Sequence, residues 1–240
     1  MRLVNVSYSY RKRAPAVLRD VAMTLAPGDV AEVVGANGAG KSTLLRLLAG
    51  LTRPTTGTIS GRPAVVGFAP DRFPAEQPFT VAAYLAHQAR IRRAAVEPWI
   101  DRLGIAHLMP ERLRDLSKGS AHKVGLAQAL MAEPGLLVLD EPFAGLDADA
   151  RAELPAIVTE IAGRGGMVVV SDHQGGLRGL PSVRRWTVLD GEVKESTAST
   201  LPVTAAPTAV VAVTVPADEV PAFVARMRTD GYLAGELDRT

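Results

Sequence analysis

Gly35-Ala36-Asn37-Gly38-Ala39-Gly40-Lys41-Ser42-Thr43 is the stretch on which the reading of this 240-residue chain turns. It fits G-x-x-x-x-G-K-[ST]. The apolar run Val30 to Val34 precedes it as a strand. A helix is expected from about Ser42 to Ala49, with Gly50 as its stop. The glycines let the backbone turn tightly and aim several N–H groups at a polyphosphate seated on a helix N-terminus. Gly35, Asn37, Gly38, Ala39, Gly40 and Thr43 belong to that cradle. Lys41 is placed to reach the β- and γ-phosphates, and the Ser42 hydroxyl to ligate Mg²⁺. Taken alone, the stretch would also serve as a Gly-rich turn before an ordinary helix.

A second stretch weighs against that plainer reading. Leu136-Leu137-Val138-Leu139 is an apolar run suited to a strand buried on both faces, and it ends in Asp140-Glu141. Asp140 at the strand tip suits the Mg²⁺ shell of a phosphate-loop enzyme, and Glu141 suits a base that polarises water. By itself such a strand could simply exit into a polar turn.

Strands are expected at 2–10, 17–25, 55–60, 64–68, 167–170, 183–189 and 192–194, with a turn at Asp190-Gly191. From Thr80 to about Leu116 the pattern is helical and broken at Pro98 and Pro110. Further helices are expected from Ser117 to Met131 and from Ala148 to Ala162. Strands alternating with helices predict an α/β fold: a phosphate-loop NTPase core, an antiparallel β subdomain and a helical subdomain at about 78–132. The core fills residues 1–195. Residues 196–207 read as a Ser/Thr/Pro/Ala linker, and 208–240 as a small βα appendage. Val220, Phe223, Val224 and Met227 of that appendage fall on one helical face.

Composition narrows the function. The formal net charge is only +2 and aromatics make up 5% of the chain. No Lys/Arg stripe with interleaved aromatics is present, so no nucleic-acid partner is expected. The absence of cysteine excludes disulfides, thiolate catalysis and Cys-bound metal. Neither a secretory leader nor a membrane span is expected; the uncharged stretch 196–217 carries three prolines.

With these motifs in order, residues 1–195 resemble the ABC ATPase family. Leu116-Ser117-Lys118-Gly119-Ser120 looks like its LSGGQ signature, opening a helix before Asp140 at the family's spacing. Ala144-Gly145-Leu146-Asp147 resembles the D-loop, and Ser171-Asp172-His173 the switch-histidine loop. Tyr10 sits where the family places an aromatic against adenine.

The resemblance implies an ATPase that uses ATP and Mg²⁺ and works as a head-to-tail dimer, here of identical chains. Each ATP then lies between the phosphate loop of one subunit and Ser117, Lys118, Gly119 and Ser120 of the other. It assigns Glu141 to orient water, His173 to hold water and γ-phosphate, and Asp147 to communicate across the dimer. It also implies a separate transmembrane permease subunit and a position on the cytoplasmic face of the cell membrane.

The match departs at two places. Asp71 stands where the family has a Gln that ligates Mg²⁺; a carboxylate can still ligate but cannot donate a hydrogen bond. In the signature, Lys118 replaces Gly and Ser120 replaces Gln. Lys118 is read as pointing to solvent, with a role near the opposite γ-phosphate as the alternative. His122 is read as an exposed helical residue. Asp172 is read as a neighbour able to raise the His173 pKa. The Leu-Ser-Lys-Gly signature, Asp71 and the helix Gly125 to Leu130 suggest an export system. A non-transport ABC ATPase and a regulatory ATP switch are the alternatives.

Overall fold

The computed structural model describes residues 1–11, 14–173, 175–196 and 223. The chain divides into two compact units, Met1–Ser199 and Thr200–Thr240. Of the second unit only Phe223 is described, so the expected strand and helical face of the appendage, and all of the expected linker but Ser196, lie outside the described residues.

The apolar runs become the centre of the first unit. Strands β3 (Val30–Val34), β6 (Leu136–Asp140) and β7 (Met167–Ser171) are parallel neighbours. They lie in a six-stranded sheet of order β5-β6-β7-β3-β8-β9. Strand β5 is Val66–Ala69; β8 (Val183–Leu189) and β9 (Glu192–Ser196) close the other edge, β9 running antiparallel. Successive side chains of β6 and β7 point to opposite faces, and this alternation divides the core in two.

Leu137, Leu139, Val168 and Val170 face α5 (Ala148–Gly163) and the helical part of the unit. Leu136, Val138, Met167 and Val169 face α1 (Lys41–Ala49) and the antiparallel strands. All four Leu and Val side chains of β6 are fully buried, each contributing about 2 kcal/mol of hydrophobic stabilisation.

The early strands form the expected antiparallel layer. Strands β1 (Arg2–Tyr8), β2 (Leu18–Thr24) and β4 (Thr56–Ser60) pair in the order β2-β1-β4. The helical part holds α2 (Val81–Arg92), α3 (Glu97–Arg102) and α4 (Lys118–Leu130). Pro98 sits in the first turn of α3, where its missing N–H costs nothing. Helix α5 starts on an Asp147 cap and runs through Pro155, a proline that periodicity alone did not single out. Among the described residues no helix is long and apolar enough to cross a membrane.

Candidate functional site

Parallel strands end on one edge of the sheet, and that edge is where ligands of open α/β sheets bind. Here the ends of β6, β7 and β3 lie side by side. Asp140 stands opposite Ser171, and Ser171 opposite Val33. The phosphate loop therefore leaves from the same row that carries Asp140, Glu141 and the loop to His173.

The loop from Gly35 to Gly40 is shaped as a cradle. Gly38 and Gly40 have φ of 81° and 111°, values that side chains rarely adopt. Gly40 caps α1, whose first turn carries no acidic residue, so its N-terminal dipole is open to an anion. The Lys41 ammonium folds back to donate to the Gly35 and Ala36 carbonyls at 2.8 and 3.2 Å. That donor set suits phosphate oxygens in place of carbonyls. The Tyr10 ring is 58% exposed and its hydroxyl shares a 2.8 Å hydrogen bond with Thr43 Oγ1, beside the start of α1. Tyr8 meets Tyr10 edge-on at 5.1 Å.

Asp140 is buried, 5% exposed. Glu141 follows with φ of 53°, a left-handed backbone uncommon for a non-glycine residue and further restricted because Pro142 comes next. Its N–H donates to the Ser171 carbonyl at 2.9 Å, and Ser171 Oγ lies 3.4 Å from Oε1. The other carboxylate oxygen, Oε2, stands 2.7 Å from His173 Nδ1. The structure thus brings together Glu141, His173 and Ser171, the last of which the sequence reading placed in the switch-histidine loop without assigning it a role. Among the described residues no His/Cys/Asp/Glu cluster forms a metal cage. Mg²⁺ needs none, since it keeps waters and takes one or two protein ligands besides substrate phosphates. The Ser42 hydroxyl and the Asp140 carboxylate fit that donor set.

A second cluster forms at the start of α4. Ser117 caps the helix, accepting from Ser120 N–H at 3.1 Å, and the two hydroxyls are 2.9 Å apart. Gly119 packs so closely on the D-loop that a Cβ there would collide with the Gly145 carbonyl oxygen. Lys123, with its side chain 9% exposed, pairs with the Asp147 carboxylate. Asp147 also accepts from Ala150 N–H at 3.0 Å as the cap of α5. Lys123 first, then the Ala150 N–H, hold the Asp147 carboxyl below the ordinary range.

Three expectations change here. Lys118 does not simply point to solvent: its ammonium lies 3.6 Å from Asp71 Oδ1, with both side chains largely exposed. The Asp71 carboxylate is correspondingly turned to the signature helix. His122 is not exposed but 2% exposed, because the loop after Asp71 covers that side of α4: the Phe73 ring would come within 3.1 Å of a Cβ on Gly125. Asp172 is buried and accepts from Gly176 N–H at 2.6 Å. Its carboxylate thereby helps to close the loop after His173.

The family model described as ABC transporter matches residues 18–144. The Zinc import ATP-binding protein ZnuC of Cereibacter sphaeroides is 36% identical over 163 residues, covering 67% of this chain and 67% of that protein. The protein of the same name from Yersinia enterocolitica is 35% identical over 161 residues, covering 66% of this chain and 62% of that protein. The chain thus spans roughly two thirds of the length of these relatives. A solved ATP-binding subunit of an ABC transporter superposes with a TM-score of 0.73 at 25% identity, over 82% of this chain and 89% of that one. A dimeric ATP-binding cassette with ADP and Pi bound shares the fold, with a TM-score of 0.69 at 21% identity, over 83% and 99% of the two chains.

Proposed function

The chain belongs to the ABC transporter family of ATPases, and from that premise we propose that it is the separate ATP-hydrolysing subunit of a membrane transporter. The observation that carries this reading is the row of strand ends that sets the phosphate loop, Asp140, Glu141 and His173 on one edge of the sheet.

In the proposed mechanism the loop N–H groups and the Lys41 ammonium bind the ATP phosphates, and Tyr10 lies against the adenine. Lys41 exchanges the Gly35 and Ala36 carbonyls for phosphate oxygens. Glu141 accepts a hydrogen bond from the attacking water and orients it in line with the γ-phosphate. His173, held at the Glu141 carboxylate, contacts the same water and phosphate. Mg²⁺, held by Ser42 and Asp140 with Asp71 as a further ligand once it leaves Lys118, would neutralise charge on the phosphates.

Ser117, Lys118, Gly119 and Ser120 complete the ATP site of a second copy, and Asp147 links the two sites. Closure on ATP and opening after hydrolysis would be a two-state switch driven by differential nucleotide contacts. A permease with several membrane-spanning helices would receive that motion, with this subunit on its cytoplasmic face.

Export finds no support among the relatives, whose names describe zinc import. Import is the direction we propose in its place.

The test is steady-state ATP hydrolysis by the full chain and by Glu141→Gln. The variant should lose about 10²–10⁴-fold in turnover and form ATP-dependent dimers in light scattering. Unchanged turnover would remove Glu141 from its role. Co-purification with a membrane protein, followed by solute uptake or extrusion in vesicles, tests the partner and the direction.

A further inference from the structure

The loop that carries Asp71 is held at its two ends by different parts of the protein. The first hold is the core sheet. Strand β5 pairs in parallel with β6, and Ala69 stands opposite Leu139, one residue short of Asp140. The second hold is the half-buried ring of Phe73. It meets the Tyr84 ring of α2 edge-on, with centroids 5.4 Å apart and planes at 87°. On α4, a Cβ added to Gly125 would press on the ring at 3.1 Å, so the glycine leaves a notch that the ring fills. The Tyr84 hydroxyl donates to Gln128 Oε1 and ties α2 to α4 beside it.

Only Pro70, Asp71 and Arg72 lie between these two holds. Four residue steps span at most ~14 Å, and the fixed φ of proline removes part of that freedom. Asp71 therefore stands where the end of β5 and the seat of Phe73 place it. Its own link to α4, the Lys118 pair at 3.6 Å, is largely exposed, and such pairs hold weakly. An aromatic ring packed edge-on against another and set into a notch is the stronger hold.

Resting on the ATPase reading above, we infer that Phe73 is a positioning residue for Asp71. Seated between α2 and α4, its ring makes the Asp71 loop travel with the helix that Ser117, Lys118 and Gly119 open. The carboxylate then reaches the phosphate site only as far as that helix approaches the core edge. The pair with Lys118 follows from the seat and does not create it. Phe73 touches no reacting atom and acts through Asp71.

The test uses the full chain in two measurements. Hydrogen–deuterium exchange without nucleotide reads the hold on the loop. In Phe73→Ala a peptide covering 70–77 should exchange at least ~10-fold faster, while peptides from β6 and α1 keep the parent's rates. Lys118→Ala should leave the 70–77 rates within about twofold. Steady-state hydrolysis reads the consequence. Phe73→Ala should lower kcat by at least ~10-fold and leave the KM for ATP within about threefold. Phe73→Met, flexible enough to fill the notch, should keep at least about a third of kcat. Asp71→Ala should lower kcat comparably. Adding Phe73→Ala to it should change kcat by less than about twofold, because the ring then has nothing to position. Phe73→Val takes the place of the Ala variant if that one does not fold. Unchanged exchange at 70–77, a loss confined to KM, an Ala variant with the parent's kcat, or fully additive losses in the double variant overturns the role. A parent chain that does not hydrolyse ATP overturns the ATPase reading instead, and the exchange rates alone then decide whether Phe73 holds the loop.

Discussion

His173 Nδ1 stands 2.7 Å from Glu141 Oε2, although the two residues follow different strands. The register explains it. Parallel pairing sets Asp140 opposite Ser171, so the residues just beyond each strand emerge together. The Glu141 carboxylate is 14% exposed and the His173 ring 65%, so a shielded carboxylate lies beside a side chain that is open to solvent. His173→Ala should therefore lower kcat by about 10²-fold and leave nucleotide binding unchanged. Ser171→Ala should cost only a few-fold, because the 3.4 Å Oγ contact is weak. Steady-state hydrolysis beside equilibrium nucleotide binding separates the two. An Ala variant at 173 that loses binding but not turnover would contradict this assignment.

Gly119 sets how closely the signature approaches the D-loop. A Cβ there meets the Gly145 backbone oxygen, which cannot swing aside as a side chain can. Gly119→Ala should cost about 1–3 kcal/mol, seen as a Tm fall of roughly 2–12 °C for a chain of this size. Gly163, in the last turn of α5, has nothing within 4 Å of an added Cβ. Gly163→Ala should be neutral or stabilising by up to about 1 kcal/mol. Equal Tm shifts at the two positions would refute the steric account.

Much of this was legible in the sequence because local chemistry decides it. Strands β3, β6 and β7 are apolar runs that only a doubly covered sheet can use, and the phosphate loop and Asp140-Glu141 follow from motif and place. Helix starts announced themselves through Ser117 and Asp147, whose side chains cap as their residue types predict. One residue was misread because its surroundings come from a distant segment. His122 looked exposed because α4 has no clear apolar stripe. The helix is in fact buried on nearly every side from Ala121 to Ala127, between β5 and the loop after Asp71. Lys118 and Asp172 took partners, Asp71 and the Gly176 N–H, that no periodicity could indicate.

The Asp71–Lys118 pair should contribute little to stability. The side chains are 40% and 64% exposed and 3.6 Å apart, and exposed pairs are worth about 0–1 kcal/mol. A double-mutant cycle of Asp71→Asn and Lys118→Ala, read by urea unfolding, should give a coupling below about 0.5 kcal/mol. That coupling should vanish near 1 M salt, where screening acts within about 3 Å. A coupling above ~1 kcal/mol that resists salt would mean that the pair is shielded from water.

Asp147 should make the fold acid-sensitive. Lys123 and the Ala150 N–H both favour its ionised form and depress its pKa in the folded state. A depressed carboxyl contributes stability above its unfolded value, near 3.8, and loses it as pH falls through the lower folded value. The carboxylate is 57% exposed, so the contribution is at most about 1 kcal/mol. Asp147→Asn keeps a good helix cap but removes the charge and leaves the buried Lys123 ammonium without it. The variant should be less stable than the parent at pH 7, by up to about 1 kcal/mol. The gap should close as pH falls below about 4, because the parent then protonates the same carboxylate. Urea unfolding of both chains at pH 7, 5 and 3 measures it; a gap of constant size across that series would show that the charge of Asp147 is not what holds the D-loop to α4.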